Sequence, residues 1–330
     1  MTNTWAELGI LLTCGNSLAS DIFHGRENHP KYLKGGAVHA KRQHFVPQFY
    51  LKNFAKANGD LWVCRRRPEA KSPAVFKSNV RKICVENNLY EIPSRNVLEQ
   101  KFIEWGAIET ALSRMESMFA LSVKHLTEYD PDKPDTSSES PWEHLSIVVV
   151  FTANLIVRNP KWIKTRRKLA ESLTRDLLSR GFFSPNDLFE LGKIGYSSDL
   201  QGIVELSIQH AELLSFDDRS STMKLVEGLN KMSVILLRAP NNASFITSSF
   251  PVTASWTNEE TENPDWLYLP LSATSALIFH EERQRNFFFR RISAEEVDEL
   301  NVYSLEMNAL WDTAISGSKT ALKTCLHSMN

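Results

Sequence analysis

Residues 43–54 read QHFVPQFYLKNF, and this stretch decides how the rest of the chain is interpreted. It combines four aromatic residues, one proline, two glutamines and one histidine, and basic residues lie on either side. Pro47 restricts Val46 to an extended conformation and suits the first turn of a helix. We therefore expect an extended segment that leads into a short helix from Gln48 to Ala55.

The four aromatic residues of this stretch, Phe45, Phe49, Tyr50 and Phe54, can serve either the fold or a ligand. Burial of each ring would contribute about 1.5–3 kcal/mol, and the four together would rival the net stability of a whole domain. This magnitude favours a structural clasp. If the rings were exposed among Lys and Arg, they would instead form a platform that stacks the bases of single-stranded nucleic acid.

Length and composition are those of a globular protein. The chain has 330 residues, of which 42% are hydrophobic, so it can bury a sizeable core. Its formal net charge of −1 favours neither nucleic acid nor a membrane surface. The charge is unevenly distributed, however, because residues 25–91 contain 14 Lys or Arg and 5 Asp or Glu. The remainder of the chain is therefore acidic.

Cysteine usage and hydropathy bear on the cellular compartment. Cys14, Cys64, Cys84 and Cys325 are far apart and form no CxxC pair, which favours free buried thiols over a zinc site or a redox dithiol. No apolar run approaches the roughly 18 residues of a membrane span. Residues 5–12 lack the positively charged leader of a signal peptide. We expect a soluble cytoplasmic protein that does not engage a membrane.

The pattern of apolar residues predicts an α+β fold, with a mostly helical body and small antiparallel β elements in the amino-terminal module and the carboxy-terminal third. We expect an amino-terminal extension over residues 1–40 and a single domain over residues 41–330. Within that domain we distinguish a basic motif module, a helical body, and a hairpin and strand region with a closing helix. These three parts span residues 41–93, 97–231 and 232–330.

Helices are predicted mainly in the middle of the chain. Apolar residues at helical spacing predict a long helix from Val97 to about Leu126. A predominantly apolar run of thirteen residues predicts a buried helix from Leu145 to Val157, in preference to a strand, and a basic helix follows Pro160. Further helices are expected at Pro185–Gly192 and Leu200–Leu214.

Strands are predicted at both ends of the domain. Two short strands, Leu61–Arg65 and Ala74–Ser78, flank a basic turn in the motif module. Proline and paired asparagines between Val234–Arg238 and Ser244–Ser248 predict a hairpin. Later strands at Leu267–Leu271 and Ala276–His280 precede a closing helix from Ala294 to Ile315.

His44 is the main candidate for catalysis, with Gln43 and Gln48 as supporting residues. A histidine among aromatic and cationic residues is either a hydrogen-bonded interior group or a functional one. Its place before an extended dipeptide and a proline is similar to the histidine strand of small metal-dependent nucleases, in which an imidazole activates the water that attacks a phosphate. Such sites also need an Asn or His from a following hairpin and helix, and here a helix follows directly. No ligand spacing identifies a metal.

Two basic clusters are candidates for contact with nucleic-acid phosphates. On the alternative interpretation they are solvated faces of the protein. Binding through several phosphates would weaken steeply as the salt concentration rises. The clusters are Arg65, Arg66 and Arg67 in the motif module, and Lys164, Arg166 and Arg167 in the basic helix.

Arg158 follows the predicted buried helix directly. An unpaired buried charge is costly, so a partner is expected, either Glu109 or Glu116 of the long preceding helix. Such a pair is structural by default. In a catalytic site, Arg158 would instead orient or clamp a phosphate group.

Residues 43–54 resemble the hallmark of an uncharacterised family named by its His-Tyr-Val-Pro motif, the domain of unknown function 4238, with Phe45 in place of Tyr. Further matches follow in chain order after residue 40. They are Ile108-Glu109, Arg158-Asn159-Pro160, Phe245-Ile246-Thr247-Ser248, Pro251-Val252, Pro270-Leu271-Ser272 and Asn301.

The resemblance has two implications for a site. It implies that the amino-terminal module and the carboxy-terminal strands form one unit, which would bring His44, Arg158 and the loop from Ser248 to Pro251 together. Ser249 stands where the family has Asp. If that Asp were a metal ligand or general base, this chain would be inactive or would use another residue. The family has no settled activity that the resemblance could carry over.

Two functions are consistent with these patterns, and plain nucleic-acid binding, with an affinity that falls steeply as the salt concentration rises, is a third possibility. The first is a cytoplasmic protein that engages nucleic acid, as a metal-assisted phosphodiesterase in which His44 is the general base and Arg158 clamps phosphate. This function would require a divalent metal, for which the sequence identifies no ligands. The alternative is a non-enzymatic binding or scaffold protein in which the His-Phe-Val-Pro motif is a structural clasp.

Substitution of His44 by Ala separates these functions. If His44 is catalytic, the variant loses nuclease activity in Mg²⁺ or Mn²⁺ and keeps its melting temperature, because the imidazole is not needed for folding. If the imidazole is an interior group, the melting temperature falls. Failure of the wild-type protein to cleave any form of DNA or RNA would end the phosphodiesterase hypothesis.

Overall fold

The computed structural model describes most of the chain after residue 41, and the fold class is α+β, as predicted. The described residues are 42–66, 74–90, 107–133, 140–181, 221–255, 264–282, 285–308 and 310–329. The predicted amino-terminal extension, the helices at Pro185–Gly192 and Leu200–Leu214, and the first ten residues of the long helix lie outside them.

The chain divides into two compact units, each assembled from separate stretches of sequence. The first unit comprises Met1–Gln43, Glu86–Arg114 and Pro160–Met223, and the second comprises His44–Val85, Met115–Asn159 and Lys224–Asn330. A single domain over residues 41–330 stays a prediction.

Helices dominate the middle of the described chain. None of the described helices is both long and apolar enough to cross a membrane. They are α1 (Gln48–Lys52), α2 (Ala107–Glu128), α3 (Pro141–Val157), α4 (Pro160–Ser179), α5 (Ser221–Lys231), α6 (Ala294–Met307) and α7 (Lys319–Ser328).

Strands lie on both sides of the helical middle. They are β1 (Arg42–His44), β2 (Asp60–Arg65), β3 (Val75–Asn79), β4 (Val85–Asn87), β5 (Ser233–Arg238), β6 (Thr247–Ser248), β7 (Thr253–Ser255), β8 (Trp266–Pro270), β9 (Ser275–His280), β10 (Phe287–Arg291) and β11 (Thr313–Ser316). The predicted strands in the motif module and at β8 and β9 are confirmed within one residue at each end.

Two sheets form the β part of the second unit. One is antiparallel with the strand order β3-β2-β11-β6, and the other has the order β10-β5-β9-β8-β7. In the five-stranded sheet, β10 runs parallel to β5 while the other neighbours are antiparallel. β1 and β4 form a separate two-stranded sheet. The β elements are therefore more extensive than small flanking hairpins.

The buried helix predicted around Leu145–Val157 is confirmed as α3. Ser140 caps its first turn by accepting a hydrogen bond from the Trp142 backbone at 3.3 Å, and Pro141 occupies the first helical position. Most residues after Leu145 are buried, as expected for a helix that is apolar on all sides. Thr152 satisfies its hydroxyl by donating to the Val148 carbonyl at 2.7 Å.

The short helix α1 joins the two sheets of the second unit. The Tyr50 hydroxyl donates to the Pro270 carbonyl of β8 at 2.6 Å and lies 2.9 Å from the Thr247 hydroxyl of β6. Asn53 donates to the Leu271 carbonyl at 3.1 Å. The backbone after α1 approaches Gly317 so closely that a Cβ there would lie 2.3 Å from the Phe54 carbonyl oxygen. These contacts are those expected of the clasp predicted for this stretch, which stays a prediction.

The aromatic rings of α1 pack against the buried helices. Phe151 of α3 lies at the centre of this group, with its ring centroid 5.3 Å from Phe49, 5.8 Å from Tyr50 and 5.2 Å from Phe119 of α2. Tyr50 and Phe54 are fully buried, whereas Phe49 is half-buried. Burial of these rings is the main apolar contribution of the motif to the fold.

The predicted hairpin between Val234–Arg238 and Ser244–Ser248 is wrong. β5 pairs with β9 and β10, while β6 belongs to the four-stranded sheet. The reason lies in the hydrogen bonds of the connecting segment. The Phe245 backbone donates to Ala273 and the Ile246 backbone donates to the Asn301 side chain at 2.9 Å, so neither is available to pair with β5.

The closing helix is also shorter than predicted, because α6 ends at Met307 and not at Ile315. A capping box of Ser293 and Glu296 begins it. Beyond its end, the Asn308 amide donates to two carbonyls of the loop after β6, and Thr313–Ser316 pair with β2 and β6 as β11. Competition from these tertiary hydrogen bonds ends the helix.

The free thiols predicted from the cysteine spacing are confirmed where the structure describes them. Cys64, Cys84 and Cys325 are free and buried. Burial raises the pKa of the Cys325 thiol to about 12 and also raises the pKa of Cys84. The thiols of Cys84 and Cys325 therefore stay protonated near neutral pH.

Tyr50 and Tyr268 provide a matched test of the clasp, because both phenols are fully buried and burial raises the pKa of each. The Tyr268 hydroxyl has no hydrogen-bond partner among the described residues. We expect Tyr50→Phe to lower the free energy of unfolding by about 1–3 kcal/mol, and Tyr268→Phe to leave it within about 0.5 kcal/mol of wild type or raise it. Urea unfolding measures both, and equal losses would contradict the role of Tyr50.

Candidate functional site

His44 ends β1 and is half-buried. Its Nε2 lies 3.3 Å from the Val80 carbonyl oxygen, and its Nδ1 lies 3.5 Å from the Gln48 amide. When Nε2 carries the proton, it donates to Val80, and Nδ1 is the acceptor that faces Gln48. The next residue, Phe45, donates its backbone N–H to the Cys84 carbonyl at 3.0 Å. Backbone and ring are thus both anchored to the turn after β3.

Arg158 is the C-cap of α3 and is only 1% exposed. Its Nη1 donates to Glu116 of α2 at 2.8 Å, so the predicted ion pair is confirmed with Glu116 as the carboxylate. Its Nη2 donates to the backbone carbonyl of His44 at 2.6 Å. The guanidinium therefore joins α2, α3 and the end of β1. This arrangement favours a structural role, and the phosphate clamp stays a prediction.

Ser249 lies in the loop between β6 and β7 and is buried. Its hydroxyl accepts the backbone N–H groups of Asp312 at 2.8 Å and Thr313 at 3.1 Å. Its carbonyl accepts a hydrogen bond from the Asn159 side chain at 3.0 Å. The Ser249 hydroxyl is thus an acceptor that holds the start of β11. A carboxylate at the same position would offer the same type of acceptor to these two N–H groups.

The structure brings three of the sequence-predicted residues together through the main chain. Arg158 contacts the His44 carbonyl, and the adjacent Asn159 contacts the Ser249 carbonyl. Gln48 contacts the His44 ring. The convergence implied by the family resemblance is therefore present, and its contacts are hydrogen bonds to backbone carbonyls. Such contacts fix loop geometry.

The supporting residues Gln43 and Glu109 belong to the first unit. Gln43 is buried, and its side-chain oxygen accepts the backbone N–H of Tyr90 at 2.9 Å. Glu109 is half-buried in the first turn of α2, where a carboxylate interacts favourably with the helix dipole. Both positions are typical of residues that stabilise local structure.

The first predicted basic cluster lies at the end of β2. Arg65 and Arg66 are exposed, and Arg67 lies outside the described residues. The second cluster lies on α4 of the first unit, where Lys164 is exposed. The side chains of Arg166 and Arg167 are outside the described part of the structure.

Exposed cations of the motif module outnumber its described carboxylates. Seven Lys or Arg are exposed within residues 44–66 and 74–85, against one carboxylate, Asp60. Asp60 binds Lys77 at 2.6 Å, and hydrogen bonds from Lys77 and Asn79 lower its pKa. We call the seven cations the basic surface; they are Lys52, Lys56, Arg65, Arg66, Lys77, Arg81 and Lys82.

Cations at this module lie over aromatic rings. The Arg65 guanidinium is 5.8 Å from the Phe76 ring centroid, and the Arg66 guanidinium is 5.2 Å from Trp311. On α7, the Lys319 ammonium is 4.7 Å from the Trp62 ring. Helix α7 packs against β2, β3 and β11 and contains no carboxylate. The rings orient the cations while leaving their charge at the surface.

Metal ligands were not identified in the sequence. Among the residues that the structure describes, no group of three or more His, Cys, Asp or Glu side chains could hold a metal ion.

Sequence reasoning missed the aromatic partners of the cations. Strand register could have indicated that a cation lies beside an aromatic ring. In the antiparallel ladder of β2 and β3, Trp62 pairs with Lys77, and Val63 pairs with Phe76. Lys319 lies more than 250 residues from Trp62 in the sequence, and no local pattern connects them. Only the packing of α7 reveals that pair.

The ion pair between Arg158 and Glu116 can be tested with a control on the same helix. Replacement of Glu116 by Ala deprives a buried guanidinium of this carboxylate, so the free energy of unfolding should fall by about 2 kcal/mol or more. Glu128→Ala removes a 67% exposed carboxylate and should cost less than about 0.5 kcal/mol. Thermal or urea unfolding measures both, and similar losses would show that the buried pair is unimportant.

Comparison with known protein families supplies the remaining observation. Residues 42–319 match the family described as a protein of unknown function, DUF4238. This range includes the motif at residues 43–54, Arg158, Ser249 and the basic surface. Neither a curated protein nor a solved structure matches the chain. The chain therefore belongs to the DUF4238 family, as the motif predicted.

Proposed function

We propose that this protein binds nucleic acid without cleaving it, and that the His-Phe-Val-Pro motif is the structural clasp of the binding module. The observation that carries the proposal is the basic surface. It presents seven exposed cations, and the one carboxylate within residues 44–66 and 74–85, Asp60, is bonded to Lys77. This proposal combines nucleic-acid binding with the structural role of the motif.

The charge of the basic surface supports a polyanionic ligand. The chain as a whole has a net charge of −1, so the positive surface is a local concentration of charge and not a property of the entire protein. Arg and Lys contacts to phosphates supply most of the sequence-independent affinity of nucleic-acid-binding proteins. Cations held over aromatic rings are also common where a protein recognises nucleic acid.

The contacts of the motif support a clasp. Arg158 is buried and donates to Glu116 and to the His44 carbonyl, so its guanidinium stabilises the main chain on which His44 lies. Tyr50 bonds to one strand of each sheet. A motif that connects two sheets and two helices is needed for folding whether or not it has a chemical role.

The sequence also predicts a more specific function, metal-assisted phosphodiesterase activity, with His44 as the general base and Arg158 as the group that binds phosphate. The orientation of the half-buried His44 ring by the Val80 carbonyl favours it, because general bases are commonly held by such a hydrogen bond. The burial of Arg158 favours binding without cleavage, since a phosphate would have to displace Glu116 or the His44 carbonyl to reach the guanidinium.

Salt dependence tests the proposal. Binding of fluorescent DNA and RNA oligonucleotides, each single-stranded and duplex, should weaken linearly in a plot of log affinity against log salt concentration, because binding releases counterions. The double variant Arg65→Ala/Arg66→Ala should lower the magnitude of that slope by about 1–2.

A control for this experiment is the double variant Lys124→Ala/Lys133→Ala. It removes two exposed cations of the second unit that lie outside the basic surface. Its slope should equal that of the wild type. If the wild-type protein binds none of the four oligonucleotides, or binds them with no salt dependence, the proposed function is wrong.

A further inference from the structure

We infer that the basic surface selects single-stranded over duplex nucleic acid, with Phe76 and Trp62 as the rings on which unpaired bases stack. This inference rests on the proposed function and names the class of ligand. It is carried by the position of Phe76 on the edge strand β3 and of Trp62 on the adjacent strand β2, and by the cations beside both rings.

Phe76 lies on β3, the edge strand of the four-stranded sheet. Its side chain is 40% exposed, although the residue that it pairs with, Val63, is fully buried. Singly exposed apolar residues are common and carry no function by themselves. This ring differs because the exposed Arg65 guanidinium lies over it, so a base and its phosphate would find a stacking surface and a cation at one place.

Trp62 precedes Val63, the residue of β2 that pairs with Phe76. Its side chain therefore lies on the opposite face of the sheet from Phe76. It is half-buried, with Lys319 of α7 over its ring. Lys77 pairs with Trp62 across the strands and is 58% exposed. The second ring therefore also has a cation over it and another on the paired residue.

The two rings lie on opposite faces near an edge, and this geometry favours a flexible ligand. A ligand that contacts Phe76 and Trp62 together must pass around the edge strand β3. Duplex DNA has a persistence length of about 150 base pairs and keeps its bases stacked within the helix. A single strand bends freely and offers unpaired bases, which stack on aromatic rings with any base sequence.

Among the described residues of the module, the one helix does not offer the geometry of a duplex reader. Helix α1 has 5 residues, and its Tyr50 and Leu51 are buried in the core, so it has no free face for a major groove. Duplex binding through the basic surface would rely on phosphates alone. Such binding would not involve the two rings.

The test compares the affinity of the full chain for a fluorescent 15-nucleotide single strand with that for a hairpin duplex of the same base composition, at one salt concentration. We expect tighter binding to the single strand. Phe76→Leu should weaken single-strand binding about 5–30-fold and leave duplex binding unchanged, because a stacking surface is lost and no charge is removed. Its melting temperature should equal that of the wild type, since the ring is exposed.

Phe288→Leu is the matched control. Phe288 is also exposed, at 43%, and it also lies on an edge strand, β10 of the other sheet. It should bind both ligands as the wild type does. Equal loss in the two variants, or unchanged single-strand affinity in Phe76→Leu, would overturn the inference while leaving phosphate binding in place. Absence of binding to either ligand would instead remove the proposed function on which the inference rests.

Discussion

The burial of the Arg158 guanidinium is the constraint on which the second unit depends. A charge that is 1% exposed requires compensation, and Arg158 finds it in the Glu116 carboxylate and the His44 carbonyl. Because these partners belong to α2 and to the end of β1, the ion pair determines where the motif begins relative to the helices. The adjacent Asn159 extends the same connection to the loop after β6.

From this starting point, residues 45–54 can be understood as a connector. Pro47 turns the chain into α1, whose rings pack on Phe151, and the Tyr50 hydroxyl then bonds to a strand of each sheet. Gly317 allows the backbone after α1 to approach the end of β11. The motif therefore connects its neighbours by side-chain hydrogen bonds, by packing of buried aromatic rings and by a close approach of two backbone segments. Ser249 also connects main-chain segments, because its hydroxyl accepts hydrogen bonds from two backbone N–H groups.

The hydrogen-bonding groups of the motif mainly contact other parts of the protein, while the cations of its module are exposed to solvent. This separation is the reason that we propose binding and not catalysis. The most deeply buried polar residues, such as Arg158, connect main-chain segments, whereas the seven cations of the basic surface are exposed. An interior network of this kind gives the surface a rigid support.

The sequence by itself determined the α+β class, the buried helix α3, the family and the ion pair of Arg158, because hydrophobic periodicity, a motif and the cost of a buried charge are local properties. It did not determine strand pairing after Arg238 or the end of α6. There, Asn301 and Asn308 supply side-chain hydrogen bonds that compete with regular structure. Tertiary structure alone decided that Glu116 is the carboxylate of that ion pair and that Lys319 lies over Trp62. Contacts between residues far apart in sequence leave no periodic signal, since their partners are chosen by packing.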